Sequence, residues 1–142
     1  MTSDANNQLN RQWIQAFNER DWTKEAACRS ANFQAHVSGA PSPLDASGWA
    51  GFLQSFTTAF PDARIDIGAS ISEGEQVATR WTIYGTHRGE FQGVPPSGQQ
   101  IVLPGVDFSL VVDDKIAEHW AQFDIMGLMQ QIGAMQQSTA QR

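Results

Sequence analysis

The feature that most restricts the fold of this chain is a change of hydrophobic period at Pro61. Before it, apolar residues recur every three to four positions; from residue 63 to 123 they alternate. A period near 3.6 belongs to helices packed by one face, and a period of two belongs to strands. Leu9, Trp13 and Phe17 predict a first helix, and Asp21 is placed to cap a short second one over 22–30. Residues 32–39 alternate as a strand ending in Gly39, and Trp49, Phe52, Leu53, Phe56 and Phe60 mark a third helix that Pro61 stops. Strands follow over 63–73, 76–87, 100–112 and 115–124, with turns at 73–75 and at Asp113–Asp114. A last helix starts near Ile125 with Leu128, Met129 and Ile132 in its stripe, and the tail 136–142 is expected to fray. Helices, a meander of strands and a closing helix make an α+β pattern. The expected form is a cone-shaped, curved antiparallel sheet covered by the N-terminal helices, with a cavity between them.

Composition narrows the class. The 142 residues predict one domain (1–142, core about 7–135), and the hydrophobic share of 41% is enough for a globular core. No apolar run approaches the ~20 residues of a membrane span. The first residues carry neither the basic nor the apolar region of a signal peptide. Cys28 stands alone, which suits a reducing cytoplasm, as a buried structural thiol. A net charge of −6 without a basic run argues against nucleic acid. His36, His87 and His119 lie far apart with no metal-ligand spacing, so no metal is expected.

Facing follows from alternation. In the last strand Ala117, His119, Ala121 and Phe123 form the more apolar set and are placed inward; Glu118 and Gln122 point out, and Asp124 suits an N-cap. A hairpin bulged at Asp114 puts Asp107 opposite His119, whereas a tight two-residue turn puts Phe108 there and Asp107 outside. The bulged register is preferred because it buries His119 beside an acceptor. It leaves Val106, Phe108, Leu110 and Trp120 on the outer face, an apolar patch suited to a second copy of the chain. An Asp–His pair in an apolar cavity can move protons, or can merely satisfy itself and hold the strand register. His36 is either a polar group of the cavity or exposed. Trp13 and Phe17 belong to the core and also suit the cavity wall, as does Trp81. The glycine- and proline-rich segment 85–100 fits no phosphate-loop spacing and reads as architecture anchored by His87.

Two stretches, "GTHRGEFQGVPPSG" (85–98) and "VDDKIAEHWAQFDIMGLMQQIG" (112–133), resemble the SnoaL-like polyketide cyclases, also called ester cyclases, of the nuclear transport factor 2-like superfamily. "AFPDARIDI" (59–67) is similar to the family's link from the third helix to the sheet. The resemblance implies a conical α+β fold, usually a homodimer, with a deep apolar pocket and no metal or organic cofactor. It implies acid–base chemistry on a polyketide- or terpenoid-like metabolite: cyclisation, isomerisation or assisted hydroxylation. Aligned on "DDKIAEH", the family's catalytic aspartate falls on Ala121 and a partner histidine falls on Asp107, both on the inward face. The expected catalytic residues are therefore Asp107, His119 and His36, with Trp13, Phe17, Trp81, Ala121 and Phe123 binding the ligand. The alternative is a non-catalytic small-molecule-binding protein of the same fold.

Overall fold

The computed structural model describes residues 3–133. In chain order it contains α1 (Ser3–Glu19), α2 (Trp22–Ala27), β1 (Arg29–Val37), α3 (Ala46–Ala59), β2 (Arg64–Glu73), β3 (Gln76–Thr86), β4 (Gln100–Val112), β5 (Lys115–Phe123) and α4 (Ile125–Gln131). Three helix starts are fixed by aspartate caps. Asp21 accepts from Lys24 N at 3.1 Å, Asp45 from Gly48 N at 2.8 Å and Asp124 from Gly127 N at 2.9 Å. Each carboxylate satisfies a helical N–H that has no partner in its own turn. The tail 136–142 lies outside the described residues.

The five strands form one sheet in the order β1-β5-β4-β3-β2. From β2 to β5 the chain meanders antiparallel, but β1 pairs parallel with β5, so the sheet is mixed rather than antiparallel throughout. Short turns at 74–75 and 113–114 join β2 to β3 and β4 to β5, and the longer segment 87–99 joins β3 to β4. β1 is separated from its partner by α3 and the whole meander, a crossover long enough for parallel pairing. The outer edge of β2 is occupied by α1. Asn18 donates to Ile65 O at 2.9 Å and accepts from Ile65 N at 2.8 Å, Asn6 donates to Gly74 O at 2.9 Å, and Ser70 Oγ donates to Asn7 at 2.8 Å. Side-chain amides thus take up edge groups that a further strand would otherwise claim.

The β4–β5 hairpin adopts neither expected register. Asp113 and Asp114 both have positive φ (52° and 65°), so the turn is a tight two-residue one with Val112 opposite Lys115. A bulge does follow, but at Ala117: Val111 pairs with Ile116 and Leu110 with Glu118. The extra residue reverses the parity, so Ile116 rather than Ala117 takes the buried position, and His119 and Ala121 point inward beyond it. His119 consequently lies opposite Ser109, and Asp107 lies opposite Ala121.

Residues 87–99 close the end of the cone. Arg88 N and Gly89 N both donate to Ala59 O at the end of α3, and Ser97 N donates to His87 Nδ1 at 3.1 Å. Gly89 lies so close to the Thr58 carbonyl that a Cβ there would collide with it. Phe91 packs on Phe56 and Phe60. His87 is fully buried, which pushes its imidazole down, against the backbone of Gly89, which favours the protonated form. His87 and its loop are architecture.

Candidate active site

Between the helices and the concave face of the sheet lies a cavity of about 90 Å³. Helices α1 and α3 supply Trp13, Phe17, Trp49, Phe52 and Phe56, and the sheet supplies Trp81, Leu103, Asp107, His119, Ala121 and Phe123. All five residues expected to bind ligand (Trp13, Phe17, Trp81, Ala121 and Phe123) are in this wall, together with Asp107 and His119.

Asp107 is placed by Trp81. The two residues lie on adjacent strands, with Trp81 opposite Gly105, and the indole Nε1 donates to Asp107 Oδ2 at 3.0 Å. Gly105 makes this possible, because a Cβ on it would sit 2.5 Å from Trp81 Cη2 and 2.8 Å from Gln122 O. Gly105→Ala is expected to push the ring off its seat and cost ~1–3 kcal/mol by overpacking. A displaced Trp81 indole N–H resonance together with a lowered urea midpoint would establish both effects. Asp107 Oδ1 is buried with no hydrogen-bond partner among the described residues. Burial pushes the carboxyl up to about 7, against the Trp81 donor, which favours the anion. The group therefore exchanges its proton near neutrality.

His119 is enclosed by aromatic rings: Trp13 stands at 4.7 Å and 88° to it, and Trp49 at 5.4 Å and 73°. Its Nδ1 is 3.0 Å from Ser109 Oγ, and Nε2 has no protein partner among the described residues. Burial pushes the imidazole down to about 3, and His36 acts in the same direction, so the ring is neutral throughout the physiological range. Asp107 and His119 share the inner face as diagonal neighbours, ~7–8 Å apart along the ladder. They are not bonded to each other. The pair does not satisfy itself, and each residue keeps one polar atom without a partner among the described residues.

The two tryptophans over His119 are themselves held by Glu25. Its Oε2 accepts from Trp13 Nε1 at 2.8 Å, Trp49 Nε1 at 2.9 Å and Arg29 Nε at 3.1 Å, and its Oε1 accepts from Arg29 Nη2 at 3.0 Å. The sequence reading missed this residue. A Glu four positions ahead of an Arg was visible, but that spacing ordinarily describes a solvated helix pair. Ser109, the partner of His119, was missed because its pairing depends on the bulge.

His36 is not in the cavity wall. On the outer face its Nε2 lies 2.6 Å from Glu118 Oε2, and its ring stacks on Trp120 at 5.2 Å and 10°. Phe33, Ala35 and Val37 take the inner face of β1, so alternation sends His36 outward. The expected role for His36 beside the ligand is withdrawn.

The sequence model of the SnoaL-like polyketide cyclases matches residues 7–132. Among solved structures, AclR from Streptomyces galilaeus, a proposed hydroxylase, is similar at 25% identity and a TM-score of 0.86, over 94% of this chain and 99% of its own. IdmH from Streptomyces antibioticus, a proposed polyketide cyclase, is similar at 29% identity and a TM-score of 0.81, over 90% of this chain and 98% of its own. TsrD from Streptomyces laurentii shares the fold at 23% identity and a TM-score of 0.82, over 95% of this chain and 99% of its own. No curated protein matches the chain.

Proposed function

We propose, for a chain that belongs to the SnoaL-like polyketide cyclase family, that its cavity binds a hydrophobic, oxygen-bearing metabolite of polyketide or terpenoid type and that Asp107 and His119 move protons on it. The reading needs no metal or organic cofactor, in keeping with the family resemblance. The observation that carries it is the pair of polar atoms without partners among the described residues, Asp107 Oδ1 and His119 Nε2, in a mostly apolar wall. A carboxyl that titrates near neutrality takes a proton from carbon beside a carbonyl and returns it elsewhere. With Ser109 donating to Nδ1, the neutral imidazole carries its proton on Nε2 and donates to the enolate oxygen as it forms. Ring closure and isomerisation, both redox-neutral, draw on this proton transfer.

The resemblance on "DDKIAEH" sets the family's catalytic aspartate against Ala121. Asp107 stands directly across the ladder from it. In this reading a carboxylate carried by β4 takes the part of one carried by β5 at the same level of the cone. The test is α-deuteration of a ketone probe, 1-indanone, in heavy water. Asp107→Asn and His119→Gln are each expected to lower the enzyme-dependent rate by ~10²–10⁴-fold. A loss under tenfold in both, or no acceleration by the wild type, favours the binding-protein alternative.

The proposal extends to a homodimer through the outer sheet face. Val106, Phe108 and Val112 are 49%, 38% and 36% exposed there, with Trp120 packed against Phe108. A monomer in sedimentation equilibrium at micromolar concentration would remove this part.

A further inference from the structure

The polar atoms of the cavity wall are few, and nearly all are already engaged. Each of the three indole N–H groups is held by a protein carboxylate: Trp13 and Trp49 by Glu25, and Trp81 by Asp107. Both Glu25 oxygens are occupied, Oε1 by Arg29 and Oε2 by Arg29 and the two indoles. Asp107 Oδ2 and His119 Nδ1 have their partners. Among the described residues, what remains for a ligand is Asp107 Oδ1 and His119 Nε2, diagonal neighbours on one patch of the sheet. The rest of the wall is aromatic and aliphatic.

We propose that the cavity selects a compact, hydrocarbon-rich molecule that carries its oxygen at one end, two oxygen atoms at most, and rejects molecules with oxygens spread along their length. The inference rests on the proton-transfer reading above, and it names the substrate class of that site. Any hydroxyl or carbonyl held inside the cavity beyond reach of Asp107 and His119 is buried against hydrocarbon without a partner, and the lost hydration is not recovered. Size points the same way. About 90 Å³ is less than the roughly 150 Å³ of an apolar cavity that admits benzene. Even a bicyclic ligand therefore requires the half-buried Phe52 and Phe123 to yield. Among the reactions open to the family, a proton shift beside a single carbonyl suits such a ligand better than closing a ring on a polyketone chain.

Three probes of similar shape test the inference: indane with no oxygen, 1-indanone with one, and 5,6-dihydroxy-1-indanone with two more at the far end. Calorimetry on the wild-type protein, together with shifts of the tryptophan indole N–H signals, reads affinity and location. The expected order places 1-indanone first, with the dihydroxy compound weaker by ~10²-fold or more, since each stranded hydroxyl costs roughly tenfold or more. Equal or tighter binding of the dihydroxy compound, with the indole signals shifting, overturns the substrate class and leaves the cavity and its chemistry standing. Indane binding as tightly as 1-indanone shows that Asp107 and His119 do not engage the ligand, and overturns both readings. Failure of all three to bind overturns the substrate class and removes the support for a small-molecule cavity as well.

Discussion

In urea titrations repeated from pH 4 to pH 6.5, Asp107→Asn should gain stability as the pH rises, and His119→Gln should lose it. The two slopes have opposite signs because the two groups are displaced in opposite directions. The carboxyl of Asp107, raised by burial from 3.8 to about 7, keeps a proton in the folded chain that the unfolded chain has released. Over that window the folded state binds more protons, so stability falls with rising pH by ~1.4 kcal/mol per unit. The imidazole of His119, pushed down by burial from 6.5 to about 3, refuses a proton that the unfolded chain binds. Over that window stability rises with pH at the same rate, and is lost as the pH falls. In the wild type the two contributions cancel between about pH 4 and 6.5. Removing either group unmasks the other. Background titration of the remaining acids is common to all three proteins and drops out when they are compared. Above pH 7 Asp107→Asn should exceed the wild type in stability while losing proton transfer, the usual cost of a carboxyl held for chemistry. Parallel pH profiles for the three proteins would show that these side chains titrate in the folded state as they do in the unfolded one.

The second large effect concerns Glu25. Glu25→Leu removes the acceptor of two indole donors and the counter-charge of Arg29, whose side chain is only 8% exposed. A buried ion pair adds little over an apolar pair of the same shape, but removing one partner strands the other. The expected loss is ~3–5 kcal/mol in urea at pH 7. Adding Arg29→Leu should restore part of it, because the stranded charge goes as well. Tryptophan fluorescence should shift in the single variant as Trp13 and Trp49 lose their anchor. A loss below ~1 kcal/mol, within the range of solvated pairs, would mean that water replaces the carboxylate and that the cluster is not sealed.

Helix and strand positions were legible in the sequence because they rest on local rules. The expected cap aspartates 21 and 124 lie within three residues of the N–H groups they serve. The inner face of β3, with Val77, Thr79, Trp81 and Ile83, follows from alternation along a strand without an internal bulge. Asp107 was placed inward for a partly mistaken reason: a bulge was expected at Asp114 and occurs at Ala117, where no residue with a preference for unusual backbone angles announces it. The partner assigned to Asp107 was therefore wrong although its facing was right. His36 remained ambiguous from sequence because both its outer-face neighbours, Glu118 and Trp120, come from β5, which the sequence did not pair with its strand. The Glu25 cluster joins residues 12 and 24 positions apart through three helices' worth of packing, a coincidence that no window of sequence contains.

The asparagines that fasten α1 to β2 have a consequence for solubility. Beneath them lies a ten-residue edge strand that includes Ile65, Ile67 and Ile71, the last 72% exposed. Bare, such a strand is a template on which another chain can add its own. Amide side chains from a helix occupy its hydrogen-bonding groups without offering a further edge in turn, so the sheet ends there instead of growing. Replacing Asn6, Asn7 and Asn18 would free that edge, and the protein would meet its first difficulty as aggregation rather than as lost activity.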